Sequence, residues 1–372
     1  MKKINIKSKS FTYPVFIGSN ILQSLPLLLE KHKLYKNVFI VIDENVEKIY
    51  GKEIRKLVNR WASRNALFIL KASERSKSLM TLKKIYTALA DDEFGRDTLL
   101  LSVGGGITGD VAGCCAATYM RGVQLVHVPT TLLASVDSSI GGKTGVNFYN
   151  RKNLIGSFYQ PQFVIIDTGF LQTLPAAELK SGAGEIIKYA FLSNKDFYNY
   201  ILQNFNELLL LNNKVLSKVI SESVLIKAGV VSQDEKETRL RKILNFGHTF
   251  AHAFESHSGY KIKHGEAVVG GILAALFLSH KLKFFSDEKL ESYLKFLSVY
   301  KLPSAIKKVN NNIILELMRL DKKKSGDRIK FVLLKDIGNL VIDAEIEKKE
   351  IFYALEKMKE FSSVLKGKTA EL

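Results

Sequence analysis

Short apolar runs alternate with amphipathic stretches along the first half of the chain. The runs are four to six residues long, rich in aliphatic side chains, and lie at residues 38–42, 66–70, 98–103, 125–128 and 163–166. Apolar positions at helical spacing fill the intervals, as at residues 79–89. Because buried parallel strands form continuous apolar runs and alternate with helices, this pattern predicts a parallel α/β sheet.

The pattern changes after Leu174 and Pro175. Residues 177–280 have mostly helical spacing, with long helical segments at 206–229 and 267–282. The second half of the chain is therefore predicted to be mainly α-helical.

The C-terminal part adds a small predicted hairpin at residues 329–334 and 339–342, followed by a last helix at 348–365. We therefore expect an α/β fold with a Rossmann-like N-terminal domain and a mostly α-helical C-terminal domain. The predicted domains are residues 1–176 and 177–372.

The composition is that of a globular protein, since 46% of the 372 residues are apolar and 25% are charged. We find no apolar segment of the ~18 residues that a membrane span requires, and no apolar region after the basic N-terminus that would indicate a signal peptide. The adjacent Cys114 and Cys115 suit neither a disulfide nor a metal site. We expect a cytoplasmic protein without a membrane partner.

The formal net charge of +18 has three possible explanations. A nucleic-acid partner would explain it, but the lysines are scattered and no basic block is interleaved with aromatic residues. A lysine-rich genome is the simplest explanation, and attraction of an anionic substrate is the functional one. We expect a small anionic substrate and no nucleic acid.

A glycine-rich segment follows the predicted strand at 98–103 and reads Gly-Gly-Gly-Ile-Thr-Gly-Asp at residues 104–110. Glycines let the backbone approach a pyrophosphate closely, so that main-chain N–H groups face it. The usual dinucleotide fingerprint also has an acidic residue about 20 positions further on, but residues 111–136 contain none. Asp43, at the end of an earlier predicted strand, is the candidate for that role. A plain tight turn is the alternative.

Residues 127–161 form a long segment dense in Thr, Ser, Asp, Gly, Lys and Asn, which is typical of a functional loop. Lys143, Lys152 and Asn153 offer donors for a carboxylate or a phosphate. Any one of these side chains could simply be solvated, but their density favours a site.

Polar residues recur at helical spacing within residues 241–252. If that segment is one helix, Arg241, Asn245, His248 and His252 lie within a wedge of roughly 60°. Two histidines on one stripe with an arginine and an amide indicate the lining of a site.

A second polar group lies in residues 182–188, which are predicted to open a helix. Glu185 and Lys188 share one helix face there, and a glutamate in an apolar helix must be paired or coordinated. His264 begins a further predicted helix. Glu185, His248 and His264 together form a candidate two-histidine, one-glutamate set, of the kind that holds catalytic zinc.

Taken together, these segments resemble the 3-dehydroquinate synthase family. The matching strings lie at residues 104–110, 119–122, 128–147, 152–161, 184–188, 245–255, 264–270 and 321–323. They follow the family's order over most of residues 38–340, and the combination is highly specific although each glycine string alone is not.

The resemblance implies an NAD-binding domain and a metal-binding domain, with zinc, or cobalt in its place, on Glu185, His248 and His264. The implied NAD contacts are Asp43, Asn45, Glu74, Lys77, Gly105, Gly106, Asp110, Thr130, Thr131, Lys143 and Lys152. The implied catalytic and substrate contacts are Arg121, Asp137, Lys143, Lys152, Asn153, Lys188, Lys227, Arg241, Asn245, His252 and one lysine of residues 322–324, taken here as Lys322. The family often has glycine where this chain has Ser73.

The implied reaction converts 3-deoxy-D-arabino-heptulosonate 7-phosphate into 3-dehydroquinate and phosphate, a step of the shikimate pathway. A transient oxidation at C5 acidifies the C6 proton, phosphate leaves, and the ketone is reduced again before ring opening and aldol closure, so net redox is zero.

In this interpretation Lys143, Asn153, Arg241 and a lysine of residues 322–324 bind the phosphate. Lys152, Lys188, Lys227 and Asn245 hold the carboxylate and hydroxyls, and His252 and Asp137 relay protons. Arg121 would reach across from a partner subunit of a homodimer.

Two other enzyme classes are alternatives. Another sugar phosphate cyclase would act on sedoheptulose 7-phosphate or glucose 6-phosphate, whereas a zinc- or iron-dependent polyol dehydrogenase would accumulate NADH. Arg241, Asn245, His252 and residues 321–323 match the family whose substrate carries a carboxylate, which favours the synthase.

Overall fold

The computed structural model describes residues 1–9, 11–149, 151–321 and 329–367. The described chain forms two compact units. Unit 1 comprises Met1–Pro175 and Leu211–Glu235, and unit 2 comprises the remaining described residues. Each unit is therefore formed by two separate segments of the sequence.

The strands and helices are numbered in chain order. The strands are β1 (Lys2–Lys7), β2 (Thr12–Gly18), β3 (Asn37–Asp43), β4 (Arg64–Leu70), β5 (Thr98–Gly104), β6 (Gln124–Pro129), β7 (Lys143–Phe148), β8 (Arg151–Phe158), β9 (Phe163–Asp167), β10 (Ile329–Asp336) and β11 (Asn339–Ile346). The helices are α1 (Leu25–Lys31), α2 (Glu44–Asn59), α3 (Leu79–Asp91), α4 (Gly106–Thr118), α5 (Ala176–Leu192), α6 (Lys195–Leu209), α7 (Asn213–Gln233), α8 (His248–His257), α9 (His264–Lys281), α10 (Asp287–Leu297), α11 (Ser304–Lys307), α12 (Asn311–Asp321) and α13 (Lys348–Gly367).

The described part of unit 1 is built on a seven-stranded sheet in the order β1-β2-β9-β6-β5-β3-β4. All neighbours are parallel except β1 and β2. Alternate residues of β3 enter different cores: Val38 and Ile40 face one core, and Phe39 and Val41 face the other. Both faces are thus covered, which explains the continuous apolar runs and confirms the predicted parallel α/β fold.

The N-terminal strands β1 and β2 were not predicted, although β1 carries a signal. Its residues alternate, with Ile4 and Ile6 buried between exposed polar positions. Strict alternation is the pattern of a strand with one face against a core. The basic side chains of this segment therefore mark the solvent face of an edge strand.

The interpretation of residues 127–161 as one continuous loop is wrong. Residues Ala134–Ser138 form a π-helix, and β7 and β8 pair as an antiparallel hairpin. Gly145 and Gly156 face each other in this ladder, and a Cβ on Gly156 would lie 2.0 Å from the carbonyl oxygen of Thr144. The glycines that gave the segment a loop-like composition allow close approach of two strands.

Unit 2 packs around α9, whose side chains are buried along most of its length. Helices α5, α8 and α13 contact it, and the predicted hairpin and last helix are confirmed as β10–β11 and α13. The predicted continuous helix at 206–229 is wrong. Helix α6 ends at Leu209 and α7 begins anew at Asn213, because the Asn212 side chain caps the first N–H groups of α7.

Helix α7 belongs to unit 1, where it packs against β1 and β2. Because the chain returns to unit 1 at α7, no single boundary in the sequence separates the two units. The predicted domains, residues 1–176 and 177–372, stay a prediction about folding units.

Candidate functional site

Three helices of unit 2 place the predicted metal ligands together. Glu185 lies within α5, and His248 and His264 are the first residues of α8 and α9. The Nε2 atoms of His248 and His264 lie 3.6 and 3.2 Å from Oε1 of Glu185. One possible ligand atom from each side chain lies within 4.8 Å of the other two. The described residues thus contain the three-ligand cluster that was predicted.

These distances fit a zinc ion. Zinc lies about 2.0–2.1 Å from a histidine nitrogen and about 2.0–2.2 Å from a carboxylate oxygen, so tetrahedral geometry separates the two donors by about 3.4 Å. The observed separations of 3.2 and 3.6 Å bracket that value. Two imidazoles and one carboxylate also form a common donor set of catalytic zinc sites, in which the fourth position is open to substrate or water.

Each imidazole has a second partner on the side away from Glu185. Nδ1 of His248 lies 3.2 Å from the carbonyl oxygen of Phe246, and Nδ1 of His264 lies 3.3 Å from Oε1 of Glu255. Such outer contacts fix the ring and direct the Nε2 lone pair inward. Glu255 was not among the predicted site residues. Its signal was a glutamate among apolar residues of α8, seven positions after His248.

The pKa values of the two histidines are shifted in opposite directions. Burial lowers the pKa of His248 to about 3, so this ring is neutral at physiological pH. Burial also opposes protonation of His264, but hydrogen bonds with Glu185 and Glu255 outweigh it and raise that pKa to about 10. Because a ligating imidazole must be neutral, metal binding at this cluster is accompanied by loss of a proton.

Lys188 lies one turn beyond Glu185 on α5 and forms an ion pair with its carboxylate. Both side chains are almost fully buried, 1% and 0% exposed. The predicted shared helix face is therefore confirmed. The predicted helix start within residues 182–188 is wrong, because α5 begins at Ala176.

Two glycines let α5 and α9 approach within the cluster. A Cβ on Gly184 would lie 2.3 Å from the carbonyl oxygen of Gly265, and a Cβ on Gly265 would lie 1.7 Å from that of Ser181. Gly184 precedes Glu185 and Gly265 follows His264. Backbone contact between the helices therefore brings these two ligands together.

The prediction of a single helix over residues 241–252 is wrong. Residues Leu240–Asn245 form a 3₁₀ helix, and Gly247 has φ of +79° before α8 begins. A Cβ on Gly247 would lie 2.7 Å from Cγ1 of Ile272, so the turn packs directly on α9. Arg241 and Asn245 consequently do not share a helix face with the histidines.

The other polar residues of this segment take separate positions. His252 lies one turn after His248 on α8, with ring centroids 5.6 Å apart. Asn245 donates its amide to Oε1 of Glu237 at 2.6 Å, and Arg241 is 1% exposed. Their substrate contacts stay predictions.

In unit 1, the glycine segment lies where the direction of strand order changes. β4 lies on one side of β3 and β5 on the other, which makes the carboxyl ends of β3 and β5 a topological switch point. Gly105 caps α4 at the end of β5, and Asp43 ends the neighbouring β3. Open α/β sheets bind dinucleotides at such a point.

Asp43 also has a local structural role. Its carboxylate accepts hydrogen bonds from the backbone N–H groups of Asn45, at 2.8 Å, and Val46, at 3.4 Å, and so caps α2. The predicted contacts of Asp43 and Asn45 with NAD stay predictions. Thr130 donates its N–H to the carbonyl oxygen of Gly104, which ties the end of β6 to the glycine segment.

The structure brings several predicted NAD-site residues together. Nζ of Lys77 donates to Oδ2 of Asp110 at 2.6 Å and to Oδ1 of Asn153 at 2.5 Å. Glu74 accepts from the amide of Asn147 at 2.7 Å. Burial raises the pKa of Asp110 even though the Lys77 ammonium opposes it. One network thus joins the glycine helix to the β7–β8 hairpin.

A second ion pair lies at the π-helix. Nζ of Lys227 on α7 donates to Oδ1 of Asp137 at 2.6 Å and to its carbonyl oxygen at 2.8 Å. π-helical turns often occur at functional sites. Lys143 and Lys152 lie on the hairpin strands, with Lys143 exposed.

Arg121 does not join these residues. It follows α4, whose 13 residues span about 20 Å from the glycine segment. It therefore lies at the amino edge of the sheet, in a segment where Met120, Arg121 and Gly122 all have positive φ. The predicted contact at Lys322 lies outside the described residues.

The chain matches one known family along most of its length. Residues 67–181 match the family described as 3-dehydroquinate synthase N-terminal, and residues 182–324 match 3-dehydroquinate synthase C-terminal. A 3-dehydroquinate synthase from Pelagibacter ubique (strain HTCC1062) is 41% identical over 362 residues, which cover 95% of this chain and 98% of that protein. The chain belongs to the 3-dehydroquinate synthase family. This membership makes it a lyase-type sugar phosphate cyclase and supports the synthase over the alternative cyclases.

Solved structures of related cyclases agree in fold. A 2-deoxy-scyllo-inosose synthase complexed with carbaglucose-6-phosphate, NAD⁺ and Co²⁺ superposes with a TM-score of 0.87 at 24% identity, covering 96% of this chain and 99% of that one. A 2-epi-5-epi-valiolone synthase from Streptomyces hygroscopicus subsp. jinggangensis 5008, with NAD⁺ and Zn²⁺ bound, gives 0.84 at 25% identity, covering 95% and 98%. In the described part of the chain, no helix has the length and apolarity to cross a membrane.

Proposed function

We propose that the chain converts 3-deoxy-D-arabino-heptulosonate 7-phosphate into 3-dehydroquinate and phosphate, with NAD and a divalent metal and without net redox. The observation that carries this proposal is the convergence of Glu185, His248 and His264 in a chain of this family. The cofactors are supported by a related cyclase whose structure has NAD⁺ and Zn²⁺ bound. We also propose that the protein acts in the cytoplasm.

Glu185, His248 and His264 would hold the metal. When bound, zinc would stabilise negative charge on a substrate hydroxyl and NAD would accept and return a hydride. The chain must orient the substrate and move its protons. Lys227 holds Asp137 in position through an ion pair, and we assign the proton relay in unit 1 to this carboxylate. His252, one turn from a metal ligand, is the corresponding group proposed for unit 2.

The anionic substrate requires cationic groups. We assign the phosphate to Lys143, Asn153 and Arg241, and the carboxylate and hydroxyls to Lys152, Lys188 and Asn245. Arg241 is almost fully buried, at 1% exposure, and a buried cation attracts an anion more strongly than a solvated one. The pyrophosphate of NAD would face the N–H groups that open α4 at Gly105 and Gly106.

Phosphate release, measured while NADH absorbance is followed, tests this proposal. The zinc-loaded protein with NAD should release phosphate from 3-deoxy-D-arabino-heptulosonate 7-phosphate without steady accumulation of NADH. A chelator-treated sample, with and without added zinc, is the control. Release only from sedoheptulose 7-phosphate or glucose 6-phosphate would identify another cyclase, and steady NADH production would identify a dehydrogenase.

A further inference from the structure

Glu255 is a buried carboxylate for which the proposed reaction has no use. It is 4% exposed and lies near the end of α8, two turns after His248. Burial of a carboxylate is costly unless it is paired with a cation or held by hydrogen bonds. Its Oε1 atom lies 3.3 Å from Nδ1 of His264. One group that offsets this cost therefore belongs to a predicted metal ligand.

The backbone around Glu255 is held in place. Its carbonyl oxygen accepts from Oγ of Ser258 at 2.9 Å and from the N–H of Tyr260 at 2.8 Å, which terminates α8. The carboxylate extends from this helix end to the first residue of α9, and the N-terminus of a helix favours negative charge. Glu255 thus links the end of one ligand-bearing helix to the start of another.

We propose that Glu255 is a positioning residue for the metal site, which fixes the ring orientation and tautomer of His264. A carboxylate accepts the proton on Nδ1, so the lone pair of Nε2 faces Glu185, 3.2 Å away. This inference deepens the proposed function and rests on it only for the presence of a divalent metal.

The two histidines differ in how they are held. The outer partner of His248 is the backbone carbonyl of Phe246, which no side-chain substitution removes. The outer partner of His264 is the Glu255 side chain, which a substitution does remove. Variants at residue 255 therefore change the support of one ligand and leave all three ligands in the chain.

The test uses full-length, metal-free protein and measures the dissociation constants of Zn²⁺ and Co²⁺ by competition with a chromophoric chelator. Outer partners of metal ligands typically contribute 10–100-fold to metal affinity. We expect Glu255→Ala to weaken Zn²⁺ binding by about 10–100-fold and Glu255→Gln by less, since the amide oxygen keeps an acceptor but no charge. The visible spectrum of bound Co²⁺ should change in both variants, because a reoriented imidazole alters the ligand geometry.

Glu350→Gln is the matched control. Glu350 is a glutamate of α13 whose side chain is 17% exposed, and the metal cluster does not include it. Its dissociation constants should equal those of the wild type. If Glu255→Ala does not fold, Glu255→Gln decides the question, because it has the size and shape of the native side chain.

Unchanged affinity and an unchanged Co²⁺ spectrum in Glu255→Gln would overturn the proposal, as would an equal loss in the Glu350 control. Metal binding is measured without substrate, so the result does not depend on which sugar phosphate the enzyme converts. A chain that binds zinc through Glu255-supported His264 but releases no phosphate would refute the proposed function alone.

Discussion

At the scale of single residues, His248 and His252 have similar sequence surroundings but different predicted roles. They lie one turn apart on α8, yet the ligand cluster of the described chain contains His248 and not His252. We expect His248→Ala to lose zinc and turnover together, because two ligands do not hold the ion. His252→Ala should retain zinc and lose turnover. Metal analysis after dialysis, with phosphate release, checks both; a zinc-loaded, fully active His248→Ala would exclude His248 from the site.

The pH dependence of stability can be predicted at His127, a buried residue of β6 in unit 1. Burial lowers the pKa of its imidazole from 6.5 to about 4. Below pH 6.5 the unfolded chain therefore binds a proton that the folded chain does not, and the stability that is present above pH 6.5 is lost as the pH falls towards 4. At pH 5 this loss is of the order of 2 kcal/mol.

His127→Gln removes this titration, so the variant should lose less stability than the wild type between pH 7.5 and pH 5. Urea unfolding at both pH values, followed by circular dichroism, provides the comparison. Equal losses in the two proteins would mean that His127 is protonated in the fold.

The metal ligands could be predicted from residue types, whereas their support could not. Two imidazoles and a glutamate form a donor set of catalytic zinc, which made Glu185, His248 and His264 candidate ligands, and the family resemblance implied the same three residues. Glu255 acts through a contact with a residue on another helix. The apolar residues around Glu255 in α8 indicate that its carboxylate needs a partner, but they do not indicate which residue that partner is.

At the scale of elements, helical spacing failed where a glycine breaks the helix. Residues 241–252 keep polar side chains at i, i+4, i+7 and i+11, but the left-handed conformation of Gly247 separates a 3₁₀ helix from α8. Gly247 packs directly against α9, and this contact favours the break in the helix. The spacing of residues within one segment carries no information about packing against another helix. Strands buried on both faces were predicted correctly, because their apolar runs depend less on neighbours.

The close approach of α5 and α9 gives a prediction at this scale. We expect Gly184→Ala to push the helices apart, because its Cβ would lie 2.3 Å from backbone of α9, and so to separate Glu185 from His264. Zinc affinity should fall by at least about 10-fold, and stability by a few kcal/mol, as for overpacked cores.

Gly229→Ala is the matched control on α7. A Cβ there meets nothing within 4 Å, so the variant should keep its zinc affinity and gain up to about 1 kcal/mol from helix propensity. Chelator competition and thermal unfolding measure the two effects. A Gly184→Ala variant with native zinc affinity would show that α5 and α9 can separate without moving the ligands.

At the scale of the whole molecule, the return of α7 to unit 1 illustrates what a linear pattern omits. Residues 211–235 have the same helical spacing as their neighbours, yet they pack against β1 and β2 while the flanking helices belong to unit 2. Lys227 thereby reaches Asp137, 90 positions earlier in the chain. Pairings of this kind depend on tertiary packing, so the sequence indicated the two residues but not their contact.

The position of Arg121 leads to a prediction about subunits. In its own chain it lies beyond α4, about 20 Å along that helix from the glycine segment. If Arg121 contacts substrate, as the family resemblance implies, it must do so in the site of a second copy, which requires a homodimer with two-fold symmetry. Arg121→Ala and His248→Ala should then each be inactive alone.

Mixing these two inactive variants distinguishes action within one subunit from action across two. Co-refolded in equal amounts, they should form about one half mixed dimers by random pairing. One of the two sites in each mixed dimer would combine an intact metal cluster with an intact Arg121 from the partner, so activity should return to about one quarter of wild type.

His252→Ala mixed with His248→Ala is the control. Both residues act in the site of their own subunit, so neither site of a mixed dimer is complete and activity should stay absent. If activity does not recover in the mixture of Arg121→Ala and His248→Ala although light scattering shows dimers, Arg121 has no role in a partner's site.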